Sequence, residues 1–125
     1  MFTGNEGRFL KSSEAEELKK AYRDKKADLK DDECVRSEFF GIHNLQQILN
    51  QPGCVGIRVY QAKRQEKLNG KDHVIPRVVL VGVDEKGEDI RKLVPLDKAG
   101  MKDMVSDEGR DGELGDGPVC PPHCK

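Results

Sequence analysis

At 125 residues the chain has room for one domain, and with 36% charged against 35% hydrophobic residues it is too polar to be globular throughout. A net charge of −1, with acidic and basic residues interspersed, gives no basic footprint for nucleic acid, and two Tyr, four Phe and no Trp give no stacking platform for single strands. No stretch is apolar enough to span a bilayer, no apolar signal region follows Met1, and four irregularly spaced cysteines make no disulfide scaffold. A cytoplasmic protein with reduced thiols is therefore expected, its partner a protein or a second copy rather than nucleic acid or membrane.

Residues 1–12 read as a flexible arm. Ser13-Glu14-Ala15-Glu16 fits a capping box, and the helix it opens should run to about Leu29. Leu18, Tyr22 and Leu29 form its apolar stripe, and the other face alternates Glu and Lys, so the helix is expected to pack on something along one side. After Asp31-Asp32-Glu33, the stretch from Val35 to Ile42 reads as a short strand. His43 to Asn50 then carries Leu45, Ile48 and Leu49 at helical spacing, and Pro52-Gly53 stops it.

Cys54 to Tyr60 alternates, with Val55, Ile57 and Val59 on one face and Cys54, Gly56, Arg58 and Tyr60 on the other. Lys63 to Asp72 is charged and contains Asn69-Gly70, a hairpin connection or a loop. Val74 to Val83 is the most apolar run and the expected central strand, with Pro76 at an edge or strand start because it lacks an amide donor. Asp84 to Gly87 is a turn, and Glu88 to Leu96 a weaker strand. The fold class is α+β: one domain over 13–96, an antiparallel sheet of three to four strands with two helices on one face. Residues 97–125 should be a flexible, Gly- and charge-rich tail that packs no core.

That tail ends in Cys120-Pro121-Pro122-His123-Cys124-Lys125, two thiols and an imidazole on a proline-stiffened tip. Cys120, His123 and Cys124 form a candidate zinc site, the only cofactor the sequence suggests. Their crowding strains a single tetrahedral ion, and a fourth ligand would have to come from Cys34, Cys54 or another chain. A Cys120–Cys124 disulfide faces a different obstacle. An extended polyproline path separates the Cα atoms by roughly 12 Å, whereas a disulfide spans at most about 7 Å, so the bridge needs a turn. Dithiol catalysis is disfavoured by the C-x3-C spacing and by the lack of a following helix to lower a thiol pKa. Two blander uses are surface thiols that bind nothing, and a carried peptide from Val119 to Lys125 behind a spacer from Gly112 to Gly117.

On the strand face, Arg58 and Tyr60 are candidate binding residues. Arg58 either holds an anion or pairs with a cross-strand carboxylate such as Glu88 or Asp89. Cys54 reads as a small buried hydrophobe, and His43 as a helix cap or surface residue. His73 has no neighbour suggesting a base. The run from Asp84 to Asp89 lacks the alternating ligands of a calcium loop.

Gln51-Pro52-Gly53-Cys54-Val55-Gly56-Ile57-Arg58, the run Val79 to Asp84, and Cys120-Pro121-Pro122-His123-Cys124 together resemble a group of small uncharacterised bacterial proteins. That group joins a Q-P-G-C-x-G-I-R core to a C-P-P-x-C end. The resemblance implies no activity, only that core and tip belong to one design. The function expected is a non-enzymatic binding or interaction module with a thiol-bearing tip. The alternatives are a thiol-redox or zinc protein using the tail cysteines, and a leader for a modified C-terminal peptide.

Overall fold

A computed structural model of the chain describes residues 1–25, 35–68, 70–95, 110–120 and 124. Within them the elements are α1 (Ser12–Lys25), β1 (Ser37–Glu38), α2 (Ile42–Leu49), β2 (Cys54–Leu68), β3 (Lys71–Asp84), β4 (Asp89–Ile90), β5 (Lys92–Leu93), β6 (Arg110–Asp111) and β7 (Val119–Cys120). Every strand pairing is antiparallel and the fold is α+β. A three-stranded sheet runs in the order β2-β3-β4, and two short ribbons, β1-β7 and β5-β6, flank it.

The β2-β3 hairpin is the spine. It is longer than its apolar part, because the charged stretch Lys63–Leu68 continues β2 instead of forming a loop. An exposed ribbon tolerates charge on alternate positions, since those side chains stay in water or pair with one another. Leu68 faces Lys71, and Gly70 turns the chain at φ 78°, a left-handed value that suits glycine. On β3 the amides of Val78, Leu80 and Asp84 all point away from β2. Two-residue alternation puts the Pro76 nitrogen on that same outer side, so its missing donor costs the β2 ladder nothing.

One expected face assignment changes. The register slips between Cys54 and Gly56, so Cys54 stands opposite Asp84 while Gly56 stands opposite Val83. This bulge moves Cys54 off the Arg58 face and onto the face under α2. There its Sγ lies 3.2 Å from where a Cβ on Gly82 would sit, beside Ile48 Cγ2 at 3.0 Å. Glycine at 82 is what lets α2 lie against the strand.

α2 contacts both β2 and β3 and buries Ile48. α1 behaves differently: it forms as the sequence pattern requires, yet none of its residues is buried. Its first turn begins two residues earlier than the capping box predicts, with Ala15 N bonded to Lys11 O, and Glu16 pairs forward with Lys19 and Arg23. The expected extension to Leu29 lies outside the described residues. The expected strand over Val35 to Ile42 shrinks to β1, because Ile42 already opens α2. The strand expected over Glu88 to Leu96 divides into β4, held by β3, and β5, held by β6.

The largest departure concerns the tail. Residues 110–120 are hydrogen-bonded to the body along their length: β6 on β5, Leu114 on Leu80, and β7 on β1. Val119 and Cys120 are buried with Ile48, Leu80, Val81 and Val83. The reading of this stretch as core-free tail or open spacer is corrected. Its few apolar residues are spaced too far apart to show a period, so backbone pairing carries the attachment.

Candidate functional site

Arg58 and Tyr60, two residues apart on β2, share one sheet face and converge on Asp89 of β4. Arg58 Nη1 donates to Asp89 Oδ1 at 2.7 Å, and the Tyr60 hydroxyl donates to Asp89 Oδ2 at 2.5 Å. Both side chains must cross β3 to do so, on the face of Val81 and Val83, and they roof those two residues. The Asp89 side chain is only 8% exposed, and Arg91 adds a longer ion pair at 3.8 Å. The Arg58 guanidinium is held above its ordinary pKa, first by the Tyr60 hydroxyl and also by the charge of Asp89. A permanent cation thus sits here with its charge already matched, as the sequence reading allowed when it named Asp89.

The N-terminal arm completes this face. Phe2 N donates to Glu85 O at 2.9 Å, and the Arg58 guanidinium lies 5.6 Å from the Phe2 ring centroid, within cation–π range. Gly87, at φ 87°, is where the ring seats, since a Cβ there would meet Phe2 Cε2 at 2.8 Å. Glu6 closes the arm on itself by accepting from Thr3 N at 2.7 Å and Gly4 N at 2.9 Å. Those bonds, Thr3's first, bring the Glu6 carboxyl down to about 2. A cleft of about 320 Å³ lies between arm and sheet, lined by Phe2, Gly4, Glu6, Val55, Ile57 and Arg58 among others.

At the tip, Cys120 and Cys124 form a disulfide with Cα atoms 4.6 Å apart, far inside the extended-polyproline distance. The expectation of reduced thiols is corrected for this pair. Cys120 is anchored: its carbonyl accepts from Arg36 N at 2.7 Å and its backbone pairs with Ser37, whereas Cys124 is exposed. With the sulfurs bonded to each other, neither is a thiolate ligand in this form. Among the described residues no group of three or more His, Cys, Asp or Glu could hold a metal ion. His123 and Cys34 lie outside the described residues.

Two further polar centres escaped the sequence reading. Arg77 pairs with Glu66 through two bonds, at 2.7 and 3.0 Å, with Glu38 at 3.2 Å and with Gly117 O at 2.6 Å. Glu38, its side chain 5% exposed, also accepts from Val78 N and Gly117 N. An arginine inside the apolar run Val74 to Val83 was the available signal. Gln51, also 5% exposed, donates to Gln47 O and Val94 O and accepts from Val94 N, acting as one rung of a ladder for the chain after β5. Its place directly before Pro52-Gly53 gave no hint of this.

Of the other positions noted in the sequence, Cys54 is half-buried and donates to Gly56 O, and His43 is exposed in the first turn of α2. Asp84 Oδ1 accepts from Lys86 N and Glu88 N, the bonds of a plain turn. Compared with known proteins, the chain matches no family model, no curated protein and no solved structure. No helix among the described residues is long and apolar enough to cross a membrane.

Proposed function

We propose that the chain is a non-enzymatic interaction module whose contact surface centres on Tyr60 and its sheet face. One observation carries this reading: the polar side chains of the site spend their bonds on each other, while large apolar side chains face outward. Arg58, Tyr60 and Asp89 satisfy one another. On that same face the rings of Phe2 and Tyr60 stay 42% and 40% exposed, aromatic surface left open to solvent. Rigid aromatic anchors beside a fixed arginine are the composition of protein contact sites. Exposed Arg91 offers the rim a cation for an acidic group on the partner.

A display selection of peptides against the disulfide-intact chain tests the reading. Selected ligands should lose about tenfold or more in affinity on Tyr60→Ala and keep it on the paired change Cys120→Ser with Cys124→Ser. Ligands that ignore Tyr60 and require the two cysteines would refute it.

The disulfide favours a second reading, thiol–disulfide exchange at the tip. An exposed sulfur bonded to an anchored one suits attack by an external dithiol on Cys124, leaving Cys120 as the departing thiolate. The ring closes only a short loop, so its loss should cost the fold about 2 kcal/mol at most on the loop-entropy model. Reduction followed by denaturant unfolding measures this. A much larger loss would make the bridge structural and remove the exchange reading.

A further inference from the structure

β2 is 15 residues long, and in the sheet order β2-β3-β4 it has a neighbour on one side only. The register shows which of its backbone groups face the open side. The amides of Val78 and Leu80 point away from β2, to Glu38 Oε1 and Leu114 O. In an antiparallel ladder the residues opposite them, Gln61 and Val59, must then point away from β3. Alternation extends this outward row to Ile57, Lys63, Gln65 and Lys67, while the residues between them bond inward to β3. Gly4 of the arm closes on Val55 O, so the open row begins at Ile57. Among the described residues no hydrogen bond reaches the amides and carbonyls of that row. Its side chains stand in water: Val59 is 52% exposed, and Gln61, Lys63, Gln65 and Lys67 are exposed as well. An edge of this length is a template for one more strand.

Charge selects the strand. Arg58 is paired with Asp89, Arg64 with Asp116, and Glu66 with Arg77. Lys63 and Lys67 form no ion pair among the described residues. Four residues apart on one strand, they project from the same sheet face, the one opposite Arg58. From Ile57 to Lys67 four cations stand against the single carboxylate of Glu66. A second copy on this edge would lay a cationic strand beside a cationic strand, a pairing that edge lysines deter. A strand with Asp or Glu at positions four apart would instead set one carboxylate opposite each lysine, and opposed unlike charges favour the pair.

We propose that the outer edge of β2 accepts an extended acidic segment of a partner protein as an added strand, its carboxylates opposite Lys63 and Lys67. The strand's backbone supplies the attachment and the two lysines the selectivity. This goes beyond the Tyr60 surface and does not depend on it, because it uses backbone groups and the lysines of the other face.

A capped peptide alternating Glu and Thr, titrated into the full, disulfide-intact chain and followed by NMR amide exchange, provides the test. The amides of the outward row, Ile57 to Lys67 at alternate positions, should exchange more slowly with peptide. Those of Arg58, Tyr60, Ala62, Arg64 and Glu66, already bonded to β3, should not change. Lys63→Glu combined with Lys67→Glu should weaken binding about tenfold or more, and a Lys–Thr peptide should bind that double variant in place of the wild type. Both lysines are exposed, so the double variant should keep the wild-type unfolding midpoint. Unchanged exchange at millimolar peptide overturns the inference. So does binding that protects other amides, or equal binding of the Glu–Thr and Lys–Thr peptides to the wild type. Protection of the outward row that grows with protein concentration, without peptide, would give the edge to a second copy and overturn it too.

Discussion

Helix α2 and the strap of residues 110–120 both grip β3, but by opposite means. α2 does so through apolar contact, with Ile48 set against Gly82 where any larger residue would intrude. The strap does so through charge and backbone: Arg77 and Glu38 clasp Gly117, and Leu114 exchanges two hydrogen bonds with Leu80. Gly117 admits the strap closely enough that a Cβ there would collide with Phe39 O. Apolar packing tolerates small shifts at small cost. A buried ion pair does not, because a lone charge left behind has no water to turn to. The strap should therefore be the more brittle attachment.

The sharpest way to break this contrast is Arg77→Ala. Its guanidinium is held above its ordinary pKa, first by the bonds to Glu66, and its side chain is only 13% exposed. Removing it strands two partly or fully buried carboxylates and should cost about 3–5 kcal/mol in denaturant unfolding. Hydrogen exchange should show Leu114 and Val119 losing protection before α2 does. If α2 opens first, the strap is not held by charge.

Gln51→Leu comes next, because Gln51 joins the two modes of attachment. It extends from the end of α2, yet it fixes Val94 through two hydrogen bonds. Leucine fits the volume but leaves the Val94 N–H and C=O without partners, a loss of about 2–3 kcal/mol. Calorimetry should show a lower Tm, with the β5–β6 ribbon loosened in amide exchange. An unchanged Tm would mean that water replaces the side-chain amide.

How much of this was legible follows the same division. Ile48 and the run from Val74 to Val83 announced themselves because apolar residues repeat at helix or strand spacing, and that period reflects a buried face. The strap was illegible for the complementary reason. Gly112, Leu114, Gly117 and Val119 are held by backbone bonds and close approaches, which leave no period in side-chain polarity. The bulge at Cys54 hid likewise, since one extra residue flips a face without altering the local alternation. On the candidate site, Arg58 and Tyr60 could be placed together from parity alone, and Asp89 could be named as a partner. Phe2 could not, because an arm that docks with one ring and one amide looks like any polar terminus.

Gly82→Ala probes the apolar side of the contrast. Its Cβ would lie 3.0 Å from Ile48 Cγ2 and 3.2 Å from Cys54 Sγ, close enough that both must yield by a few tenths of an ångström. The cost should be about 1–2 kcal/mol, within the range for overpacking, and α2 should stay in place. Pairing it with Cys54→Ala removes one of the two obstacles and should recover part of the loss. Failure to recover would locate the strain in the helix backbone, whose Ile48 O is 3.6 Å away.

The smallest effect belongs to the arm, the lightest of the three attachments to the hairpin. Glu6 accepts Thr3 N and Gly4 N only as a carboxylate, which is why its pKa falls from the ordinary 4.5 to about 2. A depressed carboxyl contributes its stabilisation in full above the unfolded value and loses it as pH falls through the folded one. The arm should therefore stay closed above pH 4.5 and open progressively toward pH 2. The carboxyl carbon of Glu6 and the ring protons of Phe2, followed together by NMR, should titrate with one midpoint near the lower value. Arg58 should then lose the ring above it but keep Asp89, because the bonds across β3 do not pass through the arm. A Glu6 midpoint near 4.5 with an unmoved Phe2 ring would show that Glu85 and Gly87 hold the arm without its internal turn.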